Sequence, residues 1–189
     1  TTRTTVAVLR RLGFQVEEFT PAKTLDAVRA NIARMGALLN RRQAAARLRD
    51  EFDLNVGAVA VTETDPRPAI APYYANSYTS GRDTLVDAII AASGLTNLGR
   101  MLGLRGTAKL PLELLLAAQP DLVMLGRRRG AKPALAHELF RHPAVKTLLA
   151  KSTSVVVPGK YLVCGTPHTA RAVELLSDAR ADYLREQGQ

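Results

Sequence analysis

The 189-residue chain holds one cysteine, no tryptophan and only 5% aromatic residues. A lone thiol, Cys164, closes no internal disulfide and excludes thiolate-rich metal sites. So few aromatics provide no stacking platform of the kind single-strand binders use. No apolar run approaches the roughly 20 residues of a membrane span. The opening Thr1-Thr2-Arg3-Thr4 has no signal-peptide hydrophobic region. Acidic residues are in deficit: 17 Asp+Glu face 26 Lys+Arg, for a formal charge of +9. That balance suits an acidic ligand, an anionic surface or nucleic acid. Yet Arg10, Arg11, Arg29, Arg34, Arg47 and Arg49 are scattered, and a solvated basic surface accounts for them.

Catalytic signatures are missing too. His137-Glu138 is followed by His142, five residues after the first histidine, where a zinc-protease helix needs four. Neither a Gly-x-Ser-x-Gly elbow nor a standard phosphate loop occurs. Ser77, Ser80 and His168 have no spacing that demands a triad, and capping explains Ser80. Cys164 near His168 could be activated at a helix start, but a small buried hydrophobe needs no such role. The reading is no enzyme, no metal site and no resident cofactor.

What is present is 47% hydrophobic residues, enough for a core, in an alternating pattern. Thr5 to Leu12 reads as a helix stopped by Gly13, and Phe14 to Phe19 as a short strand. Two helices follow, the first over Leu25, Val28, Ile32 and Leu39 with a bend at Met35-Gly36. The second is capped by Asn40 and Gln43 and carries Ala44, Leu48 and Phe52. Val56 to Val61 is a candidate strand, and Ala69 to Tyr74 a strand whose Pro72 would confine it to an edge or stand at its end. Ser80 to Asp83 is a capping box for a helix bearing Leu85, Ile89 and Ala92, ending at Gly94. Pro111 opens a helix to Gln119. Leu122 to Leu125 and Ser154 to Val157 are continuous apolar runs of buried parallel strands. Helices are expected at Pro133–Phe140 and Pro143–Ala150, and a last one starts at Pro167 under a Thr166 cap. This alternation predicts an α/β fold with a mostly parallel sheet covered on both faces. One tight arginine run, Arg127-Arg128-Arg129, follows a strand, where ligands of open α/β sheets bind. It could meet an anion or stand as a solvated loop.

Several phrases together resemble class III periplasmic solute-binding proteins, the vitamin B12, ferric hydroxamate and haem binders. They are Leu9-Arg10-Arg11-Leu12-Gly13-Phe14-Gln15-Val16, Asn31-Ile32 with Met35-Gly36, and Tyr73 to Gly81 with Thr84-Leu85, Gly94 and Asn97-Leu98. Leu112-Glu113-Leu114 through Gln119-Pro120-Asp121-Leu122-Val123, His142-Pro143 and Val156-Val157-Pro158 continue in order. The resemblance implies two α/β lobes joined by a long helix. Residues 1–22 would be the remnant of an incomplete first lobe, 23–54 the bridging helices and 55–189 the second lobe.

It further implies capture of an iron complex (siderophore or haem) or a corrinoid between the lobes, and delivery to the transmembrane subunits of an ABC importer. Ser77, Tyr78, Thr79 and Tyr161 match cleft-lining segments, with Arg127 and Arg128 as further ligand contacts. An aromatic face with a phenol suits a flat chelate. Glu113 matches the glutamate that docks on permease arginines, although a first-turn glutamate also serves the helix dipole. A periplasmic monomer without nucleic acid is implied. Two alternatives stay open at this point: a non-transport α/β subunit related to metallocofactor assembly, and a basic nucleic-acid-associated domain.

Overall fold

The computed structural model describes residues 3–59, 62, 64–125 and 143–188. Helix α1 (Arg3–Arg11) ends where Gly13 takes a left-handed φ of 84°. Residues 14–19 form no strand, contrary to expectation. Among the described residues no strand lies beside them to pair with. The segment is instead tied by arginines: Arg10 donates to the Val16 carbonyl, and Arg34 to the Glu18 carbonyl and the Glu17 carboxylate.

Helices α2 (Leu25–Leu38) and α3 (Arg42–Gly57) form an antiparallel hairpin. Thr24 caps α2 by accepting from the Ala27 amide. No bend occurs at Met35-Gly36. A Cβ on Gly36 would stand 2.2 Å from the Ala45 methyl, so glycine serves close helix packing there. Asn40 and Gln43 do not form the expected capping box. Asn40 sits at φ 51°, and Arg41 occupies the cap position without a side-chain bond. Of the strand expected at Val56 to Val61, Val56 and Gly57 are helical instead, because α3 runs on to Gly57 with Phe52 buried and Val56 packed on the core, while Ala60 and Val61 lie outside the described residues. Short apolar runs are ambiguous between the two periods, and the buried partner decides.

Beyond these helices the chain builds a four-stranded parallel sheet with order β3-β1-β5-β6. In chain order, β1 (Ala69–Tyr73) leads through a 3-10 turn at Ala75–Ser77 to β2 (Tyr78–Ser80). Helix α4 (Leu85–Ala92), β3 (Thr96–Asn97) and the short α5 (Leu98–Met101) follow. Then come β4 (Thr107–Lys109), α6 (Leu112–Ala118) and β5 (Leu122–Leu125). Last are α7 (Pro143–Lys151), β6 (Thr153–Val156) and α8 (Thr169–Glu186). β2 and β4 pair antiparallel as a separate ribbon.

β1 is central, not an edge strand. It pairs with β5 along Ile70 to Tyr73, and with β3 only at Ala69 and Ile70. Pro72 lies on the β3 side after β3 has ended, so its missing N–H interrupts no ladder. Its carbonyl accepts from the buried Thr79 hydroxyl at 2.6 Å.

The strands' alternation divides the core. Ile70, Leu122 and Met124 face α4, α8 and the α2–α3 hairpin through Val28, Phe52, Ile89 and Leu176. Tyr73, Val123 and Leu125 face α5, α6 and α7 through Leu98, Leu115 and Val145. The hairpin thus shares one core with the sheet. Each such fully buried side chain contributes about 1.5–3 kcal/mol.

Two caps differ from the sequence reading. Ser80 belongs to β2, and α4 is capped four residues later by Thr84, whose hydroxyl accepts from the Asp87 amide. α8 starts at Thr169 after His168, without a side-chain cap from Thr166. The helix expected at Pro133–Phe140 lies outside the described residues.

Candidate functional site

All four strands of the main sheet point their carboxyl ends the same way. β1 releases the Tyr74–Ser80 loop and β6 the Val157–Pro167 loop at that edge. α4, α6 and α8 begin there, so their positive dipole ends face it. Ligands of open α/β sheets bind beyond this edge.

The first loop is rigidly built. Asn76 and Ser77 both take left-handed φ, 58° and 59°, which is rare for residues with a Cβ. Three bonds hold this turn. The Tyr74 amide donates to the Tyr78 carbonyl at 2.8 Å, the Leu110 amide to the Ser77 carbonyl at 2.8 Å, and Lys109 Nζ to the Asn76 carbonyl at 2.7 Å. Tyr78 is left 39% exposed, with Lys109 Nζ 4.3 Å from its ring centroid. A cation over one face leaves the ring electron-poor and fixed in place. Ser77 is partly exposed, and its hydroxyl accepts from Tyr73 at 3.4 Å. Thr79 is wholly buried, with its hydroxyl committed to Pro72, so it braces the loop rather than presenting a surface. Beneath the loop, burial pushes the Tyr73 phenol up, the Ser77 bond opposes this, and the Glu113 charge adds to it. Burial pushes Tyr74 up to about 12 against the lowering effect of the Ser80 bond.

Two glycines let the backbones nest below this loop. A Cβ on Gly81 would meet the Leu104 carbonyl oxygen at 2.2 Å, and one on Gly99 the Ser80 carbonyl at 2.7 Å. A buried polar network fixes the same corner. Asn97 donates to the Ser80 carbonyl and to Asp87, and accepts from the Gly99 amide. Arg100 grips both carboxylate oxygens of Asp87. Burial alone would raise the Asp87 carboxyl, but the bonds from Arg100 and Asn97 outweigh it and hold it below the usual range.

Tyr161 belongs to the second loop. It is half-buried, with Lys160 Nζ 4.9 Å from its ring centroid and the His168 ring 6.4 Å away at 50°. It lines a cavity of about 350 Å³ between α3 and α8, alongside Phe52, His168 and Arg171. Tyr78 and Tyr161 therefore stand on separate loops of one edge. Glu113 is exposed in the first turn of α6, at the same edge. Arg127, Arg128, Arg129, His137, Glu138 and His142 lie outside the described residues.

The sequence reading missed Lys109, which stiffens the first loop, and the Asp87–Asn97–Arg100 network. The Thr-x-x-Asp spacing from Thr84 to Asp87 was the one available signal. Among the described residues, no cluster of three or more His, Cys, Asp or Glu is arranged to hold a metal. No helix among them is long and apolar enough to cross a membrane.

No family model matches the chain. A curated cobalamin-binding protein of Halobacterium salinarum is 29% identical over 169 residues, covering 87% of this chain and 45% of that protein. The chain thus spans less than half the length of that relative. The periplasmic haem-binding protein HutB of Vibrio cholerae superposes with a TM-score of 0.78 at 20% identity, over 94% of this chain and 72% of its own. The periplasmic haem-binding protein BhuT, solved with two haems, gives 0.74 at 25% identity over 95% and 72%. The resemblance read from the sequence holds: nearly the whole chain follows the fold of these periplasmic binding proteins.

Proposed function

We propose that this chain carries the ligand-gripping and docking surfaces of a solute-binding protein that feeds an ABC importer. Its cargo is a corrinoid or an iron complex such as haem or a ferric siderophore. The observation that supports it most is a fold match over nearly the whole chain, with two tyrosine-bearing loops on the sheet edge where such folds bind ligands. The curated relative's name favours a corrinoid first.

In this reading residues 1–22 are the end of one lobe, 23–54 the bridge and 55–189 the second lobe, with cargo held between lobes. Tyr78 and Tyr161 offer aromatic faces to a flat macrocycle, and Ser77 a hydroxyl. Arg127 and Arg128 attract anionic substituents. Thr79 contributes by holding the first loop in shape. Glu113 docks on cationic residues of the transmembrane subunits. No bond is made or broken, so the protein is no enzyme. It works outside the cytoplasmic membrane as a monomer, without nucleic acid.

Mechanistically, the rigid loop reduces the ordering cost of binding, which is how preorganised sites gain affinity. Lys109 covers one face of the exposed Tyr78 and Lys160 lies over the half-buried Tyr161, so Tyr78 presents the more accessible ring to cargo. The test is titration of the purified protein with cyanocobalamin, haem and a ferric hydroxamate, following ligand absorbance and tyrosine fluorescence. Saturable binding to one of the three is expected. Binding to none of them would remove the importer reading.

A further inference from the structure

A second cavity lies at the opposite, amino edge of the sheet, marked by Asp121 before β5 and Ser152 before β6. Its volume is about 580 Å³, within the range of small-molecule sites. Three helices end on it: Gln119 is the C-terminal cap of α6, Lys151 the last residue of α7 and Gln187 the cap of α8. The last carbonyls of a helix lack intrahelical partners and carry about half a negative charge. Asp121 adds a full carboxylate to the lining. Its two oxygens accept from Tyr183 at 2.6 Å and from the Ala69 amide at 2.7 Å, so it is fixed in place. Leu116, Pro120, Ala144 and Leu148 supply an apolar wall. Among the described residues Lys151 is the one cation in the lining, and it is exposed. Its flexible stem lets the ammonium swing into water, whereas Asp121 is held by Tyr183 and the Ala69 amide.

We infer that this cavity is a binding site for a small organic cation with an apolar body, such as an alkylammonium or alkylguanidinium. The head would lie against the converging helix ends and the body against Leu116 and Leu148. Nothing in this inference depends on cargo binding at the carboxyl edge.

The test compares n-butylammonium with n-butyrate, which match in shape and differ in charge, by calorimetric titration at fixed ionic strength. Butylammonium binds with a Kd on the order of 1–10 mM, an ordinary affinity for so small a ligand, and butyrate does not. Lys151→Gln tightens butylammonium at least twofold by removing the one opposing charge. Thr147→Arg, which puts a tethered cation on the rim, abolishes binding while the circular dichroism spectrum is unchanged. Binding of butyrate in preference, no binding of butylammonium, or butylammonium binding that both substitutions leave unchanged would each overturn the inference.

Discussion

Asp87 shows how one residue couples stability to site geometry. Only 4% exposed, it holds Arg100 and Asn97, and Asn97 in turn holds the Ser80 carbonyl at the end of the ligand-edge loop. Asp87→Ala is expected to destabilise the protein by about 2–3 kcal/mol in urea unfolding, the usual cost of losing a charged hydrogen-bond set. The pH dependence follows from the direction of its shift. A carboxyl held low in the folded state stabilises it above the unfolded value of about 4. That contribution is lost as pH falls through the lower folded value. Acid unfolding of Asp87→Ala should therefore start from lower stability and fall less steeply below about pH 4.

At the alkaline end the sign reverses. Tyr74 is pushed up to about 12 by burial, and Tyr183 to about 12 chiefly by its bond to Asp121. Both raise stability below pH 10 and lose that effect as pH rises toward 12. Tyr183→Phe should remove part of the loss between about pH 10 and 12, as read by unfolding midpoints across that range.

Among the elements, the α2–α3 hairpin packs tightly where Gly36 meets Ala45. Gly36→Ala forces a methyl into Ala45, and overpacking of this kind costs about 1–3 kcal/mol. Thermal unfolding should show a lowered Tm for Gly36→Ala. The pair Gly36→Ala with Ala45→Gly should recover most of it, because the second change removes the methyl that is struck. An unchanged Tm in the single variant would mean that the helices separate at no cost.

The same elements show what could be read from sequence. β5 is legible because a parallel strand buried on both faces reads as an unbroken apolar run, whereas β6, expected to be buried, is a partly buried edge strand with Ser154 exposed. The α4 cap was misplaced by four residues because Ser80 with Asp83 and Thr84 with Asp87 carry the same capping chemistry. Only the pairing of Ser80 with Thr107 across the ribbon decides between them. Of the two placements Pro72 allows, the edge of a sheet or a strand's end, the second holds: β1 is central, Pro72 is its last residue but one, and the β3 neighbour stops two residues short. Tyr78 and Tyr161 were named from the resemblance. Lys109, which fixes the Tyr78 loop, comes from a ribbon strand that the sequence pattern did not reveal.

Across the whole molecule, a three-layer arrangement directs helix starts and two tyrosine loops to one edge, and helix ends to the other. The carboxyl edge is where ligands of open α/β sheets bind and where helix dipoles turn their positive ends. Tyr78 and Tyr161 are the residues we propose to grip the cargo there. The most direct measurement is equilibrium binding of cyanocobalamin, haem and a ferric hydroxamate to the protein and to its Tyr78→Ala and Tyr161→Ala variants, with folding checked by circular dichroism. Saturable binding of one ligand is expected, weakened about tenfold or more in each variant, or roughly 1.4 kcal/mol per site. Binding that both variants leave unchanged, or no binding of any of the three, would contradict it.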